Sequence, residues 1–246
     1  MLPNLIFIIG PSCSGKSSMS QIISRLHPEY SVLDDVVPLY KIFNADILLH
    51  QNKLPEFWNY VKSNNLDLYY RQENPLPYSH PNPQGGFLID NPMVWNVVLA
   101  ILSNQIVSDY NIVEFSRGND IKYNQFFKIN NKDVYPLSFD CLCHNISEPV
   151  LKKSLILNID SPIDVRKQRN IERYKNGGHL VSENTMDTVY KENIFSAKNS
   201  FIKIRGIKVP VIFINNQNNC SNFPLFLQNE FLDALNYYRR YHNELQ

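Results

Sequence analysis

No run of about eighteen apolar residues occurs in the 246-residue chain, which argues against a membrane-spanning helix. A secretory signal is missing too. The N-terminal apolar run, Leu5 to Ile9, is five residues long and is interrupted upstream by Pro3 and Asn4. Charge of one sign is not in excess: 24 Lys and Arg stand against 23 Asp and Glu. The totals therefore suggest neither nucleic acid nor an acidic membrane as a partner, and any affinity for phosphate must come from local clusters. Aromatic residues are spread through the chain without the basic interleaving that a single-stranded nucleic acid needs. Cysteine is limited to Cys13, Cys141, Cys143 and Cys220. These absences lead to the expectation of a reduced, soluble, cytoplasmic protein with no nucleic acid and no membrane as partner. They carry no signal for an oligomeric state.

What is present begins at LIFIIGPSCSGKSSM, Leu5 to Met19. The five apolar residues read as a strand buried on both faces of a parallel sheet. GPSCSGKS, Gly10 to Ser17, has the spacing G-x-x-x-x-G-K-[ST], and Met19, Ile22, Ile23 and Leu26 then follow at helical spacing. Gly10 and Gly15 allow a tight turn around Pro11, Ser12, Cys13 and Ser14, with successive N–H groups aimed at a phosphate chain. The helix start near Lys16 to Ser18 adds its exposed N–H groups and positive dipole end. Lys16 is placed to reach the β- and γ-phosphates, and the Ser17 hydroxyl to ligate magnesium. A disulfide at Cys13 is implausible inside such a loop. The stretch implies binding of a nucleoside triphosphate with Mg2+, taken as ATP, with the choice between adenine and guanine left open.

Further along, Tyr30 to Leu33, Asn111 to Phe115, Leu155 to Ile159 and Val209 to Asn215 read as strands separated by helical patterns. That alternation predicts an α/β fold with a parallel sheet covered on both faces. The length suits a single NTP-binding domain over 1–246, with an insertion at about 36–86 and a lid at about 160–185. The insertion reads as long and irregular, with one amphipathic candidate, Leu54 to Ser63. It closes in NPLPYSHPNPQGG, Asn74 to Gly86, whose prolines and glycines argue against regular structure. A helix is expected from Pro92 to Val107, capped by Asp90 or Asn91, and another over FPLFLQNEFLDALNYYRRY near the C-terminus. No internal repeat is evident.

Ligands of such sheets sit beyond the carboxyl ends of the strands. That rule gathers the phosphate loop, Asp34-Asp35, Glu114 to Arg117, Asp160 onward and Asn215-Asn216 around one crevice. One of the Asp pair, with Asp35 chosen, suits a base that takes a proton from an acceptor hydroxyl; the alternative is a helix cap. Glu114 closes an apolar strand and suits a magnesium-organising carboxylate, ahead of Asp90 at the end of FLID. Arg117 suits a substrate clamp, or a surface ion pair with Glu114. In IDSPIDVRKQRNIERYKNGG, Arg166, Arg169 and Arg173 fall at spacings of three and four on one helix face. They read as a basic lid over the triphosphate, or else as a solvated basic face.

Cys141-Leu142-Cys143-His144 lacks a second ligand pair at finger spacing. Asn130 to Asp133, NNKD, lacks the residue that the guanine-specificity motif of GTPases places between Lys and Asp.

With these motifs the chain resembles the P-loop nucleoside and nucleotide kinase superfamily. GPSCSGKS matches its first motif, the Asp pair follows its second strand, EFSR resembles its acidic–Arg motif after the third, and RKQRNIER its lid. The resemblance implies a three-layer, P-loop kinase-like sandwich with an arginine-bearing lid. It implies phosphate contacts from Arg166, Arg169 and Arg173, and a base or acceptor-holding role for Asp34 or Asp35. The expected activity is transfer of a phosphoryl group from Mg-ATP to a small-molecule acceptor: a nucleoside, nucleotide or similar metabolite. The other reading is a non-catalytic or regulatory P-loop protein, or an ATPase.

Overall fold

The computed structural model describes residues 2–83, 86–91, 93–106, 110–116, 143, 146–178, 180–188, 190–191, 193, 198–217 and 223–243, with the backbone of 128–129 and 132–133. At its centre runs β1 (Leu5–Gly10), buried along its whole length. Side chains of a strand alternate between faces, and here both faces are apolar. Leu5, Phe7 and Ile9 enter one core cluster, Ile6 and Ile8 the other. Each such side chain contributes about 1.5–3 kcal/mol by leaving water.

The first face is covered by α2 (Val36–His50), α3 (Leu54–Ser63) and α4 (Val94–Gln105), through Ile42, Phe57 and Val98. The opposite face is covered by α1 (Lys16–Leu26) and α8 (Phe223–Asn243), through Met19, Ile23, Phe231 and Tyr238. The remaining strands of the main sheet are β2 (Ser31–Asp34), β5 (Asn111–Ser116), β8 (Ser154–Asp160), β9 (Ser200–Ile204) and β10 (Ile207–Asn215). Their order is β2-β5-β1-β8-β10-β9, with β9 antiparallel and every other neighbour parallel. The fold is the expected α/β three-layer arrangement around a mostly parallel sheet. Smaller elements are the hairpin β3 (Ser79–Pro81) and β4 (Phe87–Ile89), the two-residue strands β6 (Lys128–Ile129) and β7 (Lys132–Asp133), and helices α5 (Glu148–Lys152), α6 (Ile163–Lys175) and α7 (Glu183–Thr188). Among the described residues no helix is long and apolar enough to cross a membrane.

Several expectations need correction. The segment after β2 is not irregular: α2 is fifteen residues long and sits inside the core, with Pro38 tolerated in its first turn. The proline-rich stretch before residue 86 also contains regular structure. β3 pairs with β4 in register Ser79↔Ile89 and His80↔Leu88, and Pro81 occupies the end of this edge strand, where no ladder hydrogen bond is lost. FLID therefore closes a hairpin strand and not a core strand. The Asp90 carboxylate does not cap α4; it lies 2.8 Å from His80 Nδ1 across the hairpin. Asn91 takes the capping role, its Oδ1 accepting Met93 N–H at 3.0 Å. α4 ends at Gln105, and Pro92 and Val107 lie outside the described residues, as do Cys141, His144 and Asn130-Asn131.

The bend that leaves β1 is tightly packed. Gly10 has φ +145°, and a Cβ built there would lie 2.0 Å from the carbonyl oxygen of Ile159 in β8. Neither backbone can move without disturbing the central strands. Gly10→Ala is expected to destabilise the fold by about 3 kcal/mol, lowering Tm by roughly 6–12 °C. A thermal melt within 2 °C of the wild type would contradict that account.

Candidate functional site

Three strand ends converge on the loop between β1 and α1. Cys13 has φ +63° and Gly15 φ +109°, so the chain curls back on itself before entering the helix. The loop is braced from behind. Asn216, fully buried just beyond β10, donates its amide to Ser14 O at 2.6 Å. Arg169 of α6 donates to Cys13 O at 3.3 Å and to Ser161 Oγ at 3.2 Å. A trans peptide holds its N–H opposite its carbonyl. With the Ser14 carbonyl turned to Asn216, the Gly15 N–H faces the cleft that Gly15 lines. Of this loop and the start of α1, Ser12, Cys13, Gly15, Lys16, Ser17 and Ser18 line the cleft.

Lys16 is buried and donates from Nζ to Pro11 O at 2.9 Å, so its side chain folds over the loop. Burial lowers its pKa, while Asp35 and then Glu114 act the other way. Ser17 Oγ donates to Glu114 Oε2 at 2.9 Å, and Ser20 Oγ donates to Glu114 Oε1. Burial raises the Glu114 carboxyl above its ordinary range, the serine hydroxyls and Lys16 opposing it. A hydroxyl and a carboxylate side by side are hard oxygen donors, which suit Mg2+ completed by phosphate and water. Among the described residues no group of three or more His, Cys, Asp or Glu is arranged to hold a metal by itself.

The Asp pair divides its work. Asp34 Oδ1 accepts Val36 N–H at 3.0 Å at the start of α2. Asp35 is buried, and its Oδ2 accepts Ser116 N–H at 2.7 Å from the end of β5. Both line a cleft of about 750 Å³ together with Lys16, Ser17 and Glu114. That volume falls within the usual range for a ligand site.

The three arginines part company. Arg169 and Arg173 line the cleft. Arg166 does not: it is 1% exposed and spends its guanidinium on backbone carbonyls. Nε donates to Ser161 O at 2.8 Å, Nη1 to Tyr190 O at 2.6 Å and Nη2 to Lys191 O at 3.0 Å. It ties the segment after α7 to the end of β8, so the single basic face expected of the three does not form. Arg166→Met would leave three carbonyls, those of Ser161 and Tyr190 buried, without their donor and is expected to cost about 3–5 kcal/mol of stability. Chemical unfolding reads this directly, and a loss under 1 kcal/mol would be inconsistent with the bracket. Arg117 lies outside the described residues.

Several contributors carried no usable sequence signal. Asn170 of α6, 4% exposed, pairs with both backbone groups of Val181: Nδ2 donates to Val181 O at 2.7 Å and Oδ1 accepts Val181 N–H at 3.0 Å. The same Oδ1 accepts from Arg173 Nη2 at 2.9 Å. Gly178 allows this return of the chain, since a Cβ there would lie 2.6 Å from Arg173 Cγ. Part of the cleft wall is aromatic, formed by Tyr40 and Phe43 of α2, Phe87 of β4 and Trp95 of α4. Phe43 and Phe87 stack with centroids 4.1 Å apart. Of Asn215 and Asn216, which the sequence places at the crevice, Asn216 braces the loop through Ser14 O. Ser20 was legible in principle, one helical turn beyond Ser17.

No family model matches the chain. No curated protein sequence matches it either. Among solved structures it is similar to a sugar kinase from Janibacter sp. HTCC2649, at 14% identity and a TM-score of 0.47, covering 95% of both chains. It is also similar to a gluconokinase from Sinorhizobium meliloti 1021, at 14% identity and a TM-score of 0.46, covering 97% of this chain and 98% of that one.

Proposed function

We propose that the chain is a cytoplasmic, single-domain phosphotransferase that moves the γ-phosphoryl group of Mg-ATP to a small-molecule acceptor. The observation that carries this reading is the shared cleft. One volume of about 750 Å³ is lined by the phosphate loop, by the buried carboxylates Asp35 and Glu114, and by aromatic side chains. The aromatic wall suits a nucleoside, nucleotide or similar metabolite, with no nucleic acid or membrane required as partner.

In this reading the loop from Gly10 to Ser18 wraps the phosphates with its N–H groups. Lys16 leaves Pro11 O to neutralise charge on the transferring group. Ser17 and Glu114 would hold Mg2+, which would offset the charge that develops on the phosphates. Asp35, fixed by Ser116 N–H, accepts the proton of the attacking acceptor hydroxyl. Arg169 and Arg173 supply positive charge from the α6 side. Arg117, directly after Ser116, is assigned to clamping the acceptor.

ADP release across a panel of nucleosides, nucleotides and hydroxylated metabolites tests this. One acceptor should raise ADP release well above the rate with Mg-ATP alone. Flat turnover with intact ATP binding would overturn the kinase reading and favour a nucleotide-operated switch.

A further inference from the structure

Asp46 is fully buried on α2 and takes no part in the reaction proposed above. Its Oδ1 accepts the Tyr70 hydroxyl at 2.8 Å. Its Oδ2 accepts Tyr78 N–H at 3.1 Å and the Ser79 hydroxyl at 2.8 Å. Tyr78 and Ser79 form the root of the β3–β4 hairpin: Tyr78 O accepts the N–H groups of both Asp90 and Asn91 at 2.9 Å. The other strand of this hairpin carries Phe87 onto Phe43 in the aromatic part of the cleft wall. One buried carboxylate therefore holds the hairpin that carries part of this wall.

We propose that Asp46 is a proton-operated latch: it binds the β3–β4 hairpin to α2 more tightly when protonated, and so regulates closure of the acceptor end of the cleft. The hairpin part stands on the hydrogen-bond geometry, whereas the link to an acceptor rests on the phosphotransferase reading.

The network accommodates either protonation state. As a carboxylate, Asp46 accepts from all three donors. The Tyr70 oxygen is also 3.4 Å from Ile42 O. Once protonated on Oδ1, Asp46 donates to the Tyr70 oxygen and the phenol turns its proton to Ile42 O. Oδ2 keeps both of its donors. No buried polar atom is orphaned, so protonation removes a buried charge without breaking the clamp.

Burial pushes the Asp46 carboxyl up to about 6, against hydrogen bonds from Ser79, Tyr70 and Tyr78 that favour the anion. Other titratable groups face this cluster. His50, one turn along α2, has Nε2 2.7 Å from Ser79 O. His80 of β3 meets the His50 ring at 6.4 Å and pairs with Asp90 across the hairpin. Tyr70 and Tyr78 are held neutral by the same burial. α4, packed on α2, carries no ionisable side chain. Once the hairpin lifts and water reaches Asp46, its pKa returns to about 3.9. The closed form thus holds the proton more tightly than the open one. Closure strengthens as pH falls through about 6 and weakens above it.

Amide hydrogen exchange of the hairpin, corrected for intrinsic rates, measures the latch without any substrate. Between pH 7.5 and 5 the wild-type β3 and β4 amides should gain roughly tenfold in protection. Asp46→Asn places an NH2 group where the protonated oxygen stands, so its protection should be high and flat across that range. Ser79→Ala removes a donor that favours the anion, so its midpoint should move above that of the wild type. This variant also keeps the test open if Asp46→Asn fails to fold. Flat wild-type protection, Asp46→Asn that retains the wild-type pH dependence, or Ser79→Ala with an unmoved midpoint would each overturn the latch. A wild type that shows the exchange midpoint yet phosphorylates no acceptor fails the phosphotransferase reading and leaves the latch standing.

Discussion

Replacing Lys16 by alanine is expected to lower acceptor-dependent ADP release by about 10²–10³-fold. The side chain is 7% exposed, and an ammonium that far from water is costly unless it has strong partners. Here it has one neutral acceptor, Pro11 O at 2.9 Å, and two carboxylates, Asp35 and Glu114, that oppose the lowering of its pKa by burial. A phosphate chain seated in the cradle offers a better partner than a carbonyl. The amine needs only to rotate away from Pro11 to meet it, which makes much of its contribution preorganised. Alanine removes that charge and leaves Asp35 and Glu114 facing the incoming phosphates without a counterion. Mg-ATP affinity should fall together with kcat, while the thermal melt stays near the wild type. Turnover within threefold of the wild type, in a protein that melts normally, would be incompatible with this role.

The parts of the site that chain-local physics fixes were legible in the sequence. Leu5 to Ile9 is apolar on every residue because β1 is covered on both faces, and GPSCSGKS must follow where the strand meets the helix. Glu114 was legible for a similar reason: a buried carboxylate near the end of a largely apolar strand has to be employed by something. α2 was missed because a helix apolar on nearly all sides has no amphipathic period to read. It is such a helix because α3, α4 and the hairpin cover it. The hairpin was hidden by its prolines, which an edge strand tolerates and a central one does not. Antiparallel β9 is joined to β10 by the tight turn Arg205-Gly206, and its alternating burial is that of an edge. Spacing put Arg166, Arg169 and Arg173 on one face, yet it could not show that the chain returns at Tyr190 and Lys191 to occupy the first of them. Asp46 is one of several polar residues of α2, with Lys41, Asn44 and His50, and its partners lie 24 to 33 residues away. Contacts of that range are set by topology, which no local pattern encodes.

Asp35→Asn should be the most informative substitution, with kcat falling by about 10²–10⁴-fold and Mg-ATP affinity nearly unchanged. Asparagine keeps the shape and an oxygen for Ser116 N–H, which now fixes the carboxylate at 2.7 Å. The loss therefore reports the missing base and negative charge, not a displaced strand end. A second consequence follows from the same charge. Asp35 is the foremost of the groups that raise the Lys16 pKa against the effect of burial. Without it the ammonium becomes easier to deprotonate, and the alkaline limb of the pH–rate profile moves toward neutrality. A helix-capping aspartate would show neither effect, since replacing a cap by Asn costs little and leaves kcat alone. Asp34→Asn supplies that comparison, because Asp34 caps α2 through Val36 N–H and asparagine caps as well. Measured side by side over pH 6 to 10, the Asp35 variant should lose both rate and alkaline limb, and the Asp34 variant much less of either. Equal losses in the two would place the base elsewhere in the cleft.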